Sequence, residues 1–417
     1  MGDDTWRRAG WAGAAIGVLA AGAAAGVAIE RLTVGRSVRQ KARLALDAEG
    51  PYGALRGTPG KAAADDGTAL YYEVDEAEPD PSAPRRRRLF GRRAPAPVTV
   101  VFSHGYCLNQ DSWHFQRAAL RGLVRTVHWD QRSHGRSGPG LAQQGPDGVP
   151  VSMAQLGRDL KAVIDAAAPE GPLVLIGHSM GGMTIMELAA QYPELVRERV
   201  VGVGFVGTSS GRLDEVSYGL PVAGVNAVRR VLPGVLRALG SQAELVERGR
   251  RATADLFAGL IKKYSFSSKD VDPAVARFAE RMIESTPIDV VAAFYPAFAE
   301  HDGTAALAAF RGIPVLALAG DHDLVTPSAH TEVIADLLPD AELVIVPDAG
   351  HLVMLEHPEA VTDRIADLLA RAGAVPVPGR PSPAASPSPA ASPGPTTSPS
   401  SAASPSPSPS RDGDGAR

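Results

Sequence analysis

Ser179 stands in Gly177-His178-Ser179-Met180-Gly181, a Gly-x-Ser-x-Gly pattern that follows an apolar run at 173–176 and opens a helix-like stretch at 180–192. The pattern is that of a tight strand-to-helix turn. Its glycines keep side chains clear of the bend, the hydroxyl projects outward, and the next backbone N–H, here that of Met180, faces the reacting carbonyl. A plain Gly-rich connection would carry the same glycines, but the strand–turn–helix setting favours a nucleophile. A serine hydroxyl attacks only when a neighbouring base takes its proton. Ten histidines are available, so position decides among them. His351, in Pro347-Asp348-Ala349-Gly350-His351, falls on the loop after the last predicted strand, at the sheet edge where open α/β folds keep their sites. His357, in Glu356-His357-Pro358, reads instead as a surface residue at a helix start. The base in turn needs a carboxylate to hold its tautomer. Gly320-Asp321-His322-Asp323 offers two, Asp321 and Asp323, which edge position alone does not separate. Ser103-His104-Gly105-Tyr106 follows an early strand, and its glycine allows close backbone approach. The Tyr106 N–H is therefore the expected second oxyanion donor beside that of Met180, each such donor being worth about 3–4 kcal/mol.

These residues need a frame that brings 103–106, 179, 321–323 and 351 to one edge. Short β-branched or apolar runs recur at 98–102, 125–129, 173–176, 200–206, 315–318 and 343–346. Several are apolar throughout, as strands buried on both faces of a parallel sheet must be. Helical patterns such as 153–167 and 180–192 separate many of them, which predicts a doubly wound, mostly parallel α/β sheet. Asp65-Asp66-Gly67-Thr68 signals a hairpin turn leading into a strand at 69–74. The interval from 206 to 315 is too long for one crossover, and 222–239, 243–264 and 273–284 carry apolar faces of helical period, so a helical cap is expected there. The expected organisation is an N-terminal segment 1–45, a core in two parts at 58–211 and 301–372 with the cap 212–300 between them, and a tail 373–417. Phe257, Phe266, Phe294, Tyr295 and Phe298 either line an apolar acyl pocket or pack the cap onto the core.

Residues 11–29 form an uncharged Ala/Gly-rich run between Arg7-Arg8 and Glu30-Arg31. Spanning a bilayer takes about 20 such residues, so the run predicts a membrane anchor or signal segment. Arg31, Arg36, Arg39, Lys41 and Arg43 follow it, while Asp3 and Asp4 precede Arg7 and Arg8. This bias predicts a cytoplasmic catalytic domain. An exported enzyme is the alternative, since Arg7-Arg8 resembles a twin-arginine signal. Arg85 to Arg88, Arg92 and Arg93 suit anionic head groups, or simply a solvated loop. From residue 376 the chain repeats Ser-Pro units that cannot offset their ordering entropy, which predicts disorder. A net charge of −4 argues against a nucleic-acid partner. The single cysteine, Cys107, excludes an intrachain disulfide. No metal-ligand spacing or phosphate loop accompanies the histidines, so no metal or cofactor is expected.

Over residues 58–370 the sequence resembles the α/β-hydrolase superfamily, in its branch of capped esterases and lipases. The segment Asp130-Gln131-Arg132-Ser133-His134-Gly135-Arg136-Ser137 takes part in the match, although Ser133 stands where the family usually has glycine. The family order of nucleophile, acid and histidine agrees with Ser179, Asp323 and His351, and its Gly-x-x-Asp spacing selects Asp323 over Asp321. The resemblance implies an acyl-enzyme mechanism on an apolar ester or related acyl substrate. Members that open epoxides or remove halides carry Asp at the elbow, where this chain has Ser179. Cofactor-free perhydrolases and C–C bond hydrolases share the triad and are the alternative. A non-catalytic binding member of the fold is the third reading.

Overall fold

The computed structural model describes residues 52–78, 96–144, 149–213, 263–268 and 271–374, with residues 216, 230, 231 and 234. They belong to the compact unit Met1–Pro378, whereas the second unit, Gly379–Arg417, lies outside the described residues. Also outside them are the predicted anchor 11–29, the arginine run 85–93, Phe257, and most of the predicted cap helices 222–239 and 243–264. Among the described residues no helix is long and apolar enough to cross a membrane.

Among the described residues eight strands form one sheet: β1 Thr58–Ala63, β2 Ala69–Asp75, β3 Thr99–Ser103, β4 Arg125–Trp129, β5 Leu173–His178, β6 Val200–Val206, β7 Val315–Gly320 and β8 Glu342–Val346. Their order is β1-β2-β4-β3-β5-β6-β7-β8. β1 and β2 pair antiparallel with Ala63 opposite Ala69, around the Asp66-Gly67 turn. β2 also runs antiparallel to β4, and every later pairing is parallel. Helices link the strands: α1 His114–Leu120, α2 Met153–Ala167, α3 Met180–Gln191, α4 Pro193–Arg199, α5 Pro273–Ser285, α6 Ile288–Ala299, α7 Ser328–Leu337, α8 Val353–Glu356 and α9 Pro358–Arg371. The expected α/β-hydrolase architecture, a mostly parallel sheet flanked by helices, is what forms.

Alternation of side chains along each strand divides the core in two. Val101, Leu173, Leu175, Val203, Phe205, Val315 and Ala317 face α2 and α3, with Leu160, Ile164 and Ile185. Val100, Phe102, Val174, Ile176, Val206, Leu316 and Leu318 face the other way, onto Val361, Ile365 and Leu368 of α9. Because both faces are covered, the central strands read as unbroken apolar runs. Local signals start the helices. Ser152 accepts the Gln155 N–H at the head of α2, and Asp272 caps α5 ahead of Pro273, a helix-start residue. The predicted helix at 273–284 is α5. The sequence does not announce α6, because Pro296 interrupts its pattern.

Candidate active site

β5 ends at His178, and Ser179 turns the chain into α3 with φ 52° and ψ −120°. This left-handed conformation costs a serine on the order of 1–3 kcal/mol. The bend is tight enough to exclude side chains: a Cβ on Gly177 would lie 2.5 Å from the backbone of Gly181, and one on Gly181 would lie 2.2 Å from the Ser103 carbonyl oxygen. The strain is held by the Ser179 N–H donating to the Val206 carbonyl at 3.0 Å and by the Thr208 hydroxyl donating to the Ser179 carbonyl at 2.6 Å.

His351 Nε2 lies 3.1 Å from Ser179 Oγ, and His351 Nδ1 lies 2.8 Å from Asp323 Oδ2. Asp323 Oδ1 accepts the Val325 and Thr326 N–H groups at 2.8 and 2.9 Å. All three side chains are buried. Asp321, one turn of loop away, faces elsewhere: its Oδ1 accepts the Ala349 N–H at 3.2 Å and pairs with His322 at 2.9 Å. His357 likewise stays out of the site, its Nε2 donating to the Asp348 carbonyl at 3.1 Å. The chain therefore brings Ser179, His351 and Asp323 together and leaves Asp321 and His357 apart from them.

The turn at Gly105 abuts the nucleophile, since a Cβ there would sit 3.2 Å from Ser179 Cβ. Among the turn and loop hydrogen bonds of the described residues, neither the Tyr106 N–H nor the Met180 N–H is taken by a backbone acceptor. What holds this turn is the segment 130–136, whose role sequence reasoning did not assign. The Gln131 N–H donates to His104 Nε2 at 2.9 Å, and the Cys107 N–H donates to His134 Nε2 at 3.2 Å. Each ring must then give its Nδ1 proton to a carbonyl, His104 to Gly105 at 2.7 Å and His134 to Arg132 at 2.9 Å. Burial fixes this neutral state. It presses His104 down to about 3, helped by His134 nearby, and His134 down to about 4. Ser133 has φ 62°, which explains the family's glycine there; its hydroxyl compensates by accepting the Gly140 N–H at 3.1 Å. Arg132, fully buried, anchors the segment through two 2.6 Å bonds to Asp159.

A cavity of about 270 Å³ opens onto Ser179 and His351, and its walls include Tyr106, Met183, Leu213, Ile283, Tyr295 and Phe298. Among the described residues no Asp, Glu, Lys or Arg lines it. The described aromatics of the predicted cap divide between the two roles expected for them. Tyr295 and Phe298 face the cavity, whereas Phe266 and Phe294 are buried in packing, Phe294 with its ring centroid 5.0 Å from that of His134. Among the described residues no cluster of His, Cys, Asp and Glu suits a metal ion.

Comparison with known proteins agrees with this frame. A family model described as alpha/beta hydrolase fold matches residues 98–358. The chain is 29% identical over 277 residues to the mouse sn-1-specific diacylglycerol lipase ABHD11, an alignment covering 65% of this chain and 80% of that protein. A thermophilic esterase from Thermogutta terrifontis superposes with a TM-score of 0.54 at 24% identity, covering 75% of this chain and 98% of the esterase. A bromoperoxidase from Bacillus anthracis does so with a TM-score of 0.54 at 16% identity, covering 75% and 99%.

Proposed function

The chain belongs to the alpha/beta-hydrolase fold family, and on that premise we propose that it is a serine hydrolase that cleaves a neutral, apolar carboxylic ester through an acyl-enzyme. The observation that carries this reading is the relay from Ser179 Oγ through His351 to Asp323, at 3.1 and 2.8 Å, on a serine held in a strained turn. In the proposed reaction Ser179 Oγ attacks the ester carbonyl carbon while His351 Nε2 takes its proton. Asp323 holds the Nδ1–H tautomer and stabilises the imidazolium. The carbonyl oxygen, now an oxyanion, receives the N–H groups of Tyr106 and Met180. Collapse breaks the C–O bond to the leaving alcohol, which departs with the proton from His351. Water, deprotonated by the same nitrogen, then attacks the acyl-enzyme and releases the acid and a free Ser179. The apolar cavity beside Ser179 supports an uncharged acyl group, because a buried charge without a partner is costly. A panel of p-nitrophenyl esters of increasing acyl length tests this. Turnover that is lost in Ser179→Ala is expected, as loss of such a nucleophile costs on the order of 10⁶ in rate. Retained hydrolysis in a folded Ser179→Ala protein overturns the reading.

The same proposal places the enzyme at a membrane through residues 11–29, with its catalytic domain on the cytoplasmic side, supported by Arg31, Arg36, Arg39, Lys41 and Arg43 after the run. Fractionation followed by protease treatment of intact cells tests it. A membrane-bound, protected hydrolase domain is expected, and a soluble, N-terminally processed extracellular enzyme overturns it.

A further inference from the structure

Glu356 takes no part in the relay, yet its carboxylate sits where two segments with separate duties meet. Its Oε2 accepts the Gly350 N–H at 2.7 Å, one residue before His351. Its Oε1 accepts the Ser268 N–H at 2.7 Å and the Ser267 N–H at 3.0 Å. The segment 265–268 lies directly on the histidine loop. A Cβ on Gly350 would stand 2.7 Å from Ser267 N and 2.8 Å from the Phe266 carbonyl carbon, and the Leu352 N–H donates to the Ser265 carbonyl at 2.8 Å. Tyr264 and Ser265, at the near end of that segment, line the cavity beside Ser179. From the opposite side the same loop is held by Asp321 on the Ala349 N–H at 3.2 Å and by the His322 N–H on the Ala349 carbonyl at 3.0 Å.

We infer that Glu356 is a positioning residue for the proposed reaction, clamping the His351 loop and the cavity wall at 264–268 to each other through one carboxylate. The inference rests on the serine-hydrolase reading for its effect on rate, but the clamp itself is independent of it. The choice of residue follows from the donors. Three amides converge from two directions, and only a carboxylate offers an acceptor oxygen to each direction. A glutamine presents one oxygen and one NH₂, so it satisfies either the Gly350 side or the 267–268 side and sets a donor against a donor at the other. An alanine releases both. Freed on one flank, the loop lets the imidazole drift from Ser179, and a displacement of about 1 Å in a reacting group costs on the order of 100-fold in rate.

The test uses the full chain with Glu356→Gln, Glu356→Ala and, as a control, Glu359→Gln, an exposed neighbour at the start of α9. Two readouts are taken: amide hydrogen exchange at Gly350, Ser267 and Ser268, and kcat and KM on p-nitrophenyl acetate and octanoate. In Glu356→Ala the three amides should exchange fast while the sheet stays protected. Its kcat should fall by roughly 100-fold on both esters, and its KM should rise for octanoate but not for acetate, since only the longer chain uses the wall at 264–265. Glu356→Gln should lose less, with exchange accelerated on one side only, and it carries the test if the alanine variant does not fold. Unchanged exchange at those amides, or fast exchange with wild-type kcat and KM on both esters, overturns the inference. If wild type hydrolyses neither ester, the proposed function fails instead, and the exchange data alone still decide the clamp.

Discussion

Replacing Asp323 by Asn keeps the shape of the side chain, exchanges one acceptor oxygen for an NH₂ donor and removes the negative charge. In the native arrangement one oxygen faces His351 Nδ1 at 2.8 Å and the other takes the Val325 and Thr326 N–H groups at 2.8 and 2.9 Å. An asparagine cannot serve both sides. If its NH₂ faces His351, the ring must accept there and carry its proton on Nε2, aimed at Ser179 and unable to take the serine proton. If its oxygen faces His351, the NH₂ meets two backbone donors in a buried site. The first arrangement leaves one tautomer wrong and the second leaves three donors in conflict, so the first should prevail. A triad held in the wrong tautomer loses about 10⁴ in kcat, equivalent to roughly 5 kcal/mol of transition-state stabilisation. Asp321→Asn retains an oxygen for the Ala349 N–H and does not touch His351, so its kcat should stay within about threefold of wild type. The assay is initial-rate hydrolysis of p-nitrophenyl butyrate by both variants, with thermal melting run on the same preparations. An Asp321→Asn variant more impaired than Asp323→Asn would rule out Asp323 as the residue that orients His351, as would a folded Asp323→Asn protein with more than about a tenth of wild-type kcat.

Three further outcomes follow from the same structure. Ser133→Ala keeps the left-handed strain and loses the bond to Gly140, whereas Ser133→Gly relieves the strain; the stability order should be wild type, then Gly, then Ala, with Ala down by about 1 kcal/mol in urea unfolding, and an alanine variant as stable as wild type contradicts this. Ser179→Gly should abolish hydrolysis while raising stability by on the order of 1 kcal/mol, the relief at φ 52° exceeding glycine's entropy cost, and a lowered melting temperature counts against the strain argument. Burial raises Asp130 to about 6, against the opposing N–H bonds from Gln110 and Arg136. A folded-state value above the unfolded one means its contribution is full below about pH 4 and is lost as pH rises through about 6. The stability of Asp130→Asn relative to wild type should therefore rise between those values, by up to roughly 3 kcal/mol, and a flat difference curve refutes the assignment.

Much of the fold was legible because the central strands are buried on both faces, so 98–102, 173–176 and 315–318 stand out as apolar runs between turns. The pairing of β2 with β4 was not, since it joins Tyr72 to Trp129 across two other elements and no local pattern encodes a partner that distant. In the site, Ser179, His351 and the Tyr106 turn were readable from motif and loop position. Asp323 was separable from Asp321 only by family spacing; in the structure the separation is a matter of which way each carboxylate points. Gln131, His134 and Glu356 were not assigned roles. Each acts through a backbone N–H or carbonyl that becomes its neighbour only when the chain has folded, and an isolated Gln, His or Glu carries no sign of that.

Whether Ser179 is the activated nucleophile is decided by treating the full chain with a fluorophosphonate, measuring intact mass, and mapping the modified peptide. Ser209, whose Oγ lies 2.9 Å from His330 Nδ1, serves as an internal control for mere serine–histidine proximity. A single adduct on Ser179, absent in Ser179→Ala and much slower to form in Asp323→Asn, is the predicted result. A folded protein that takes no adduct, or takes it on Ser209, would contradict the account.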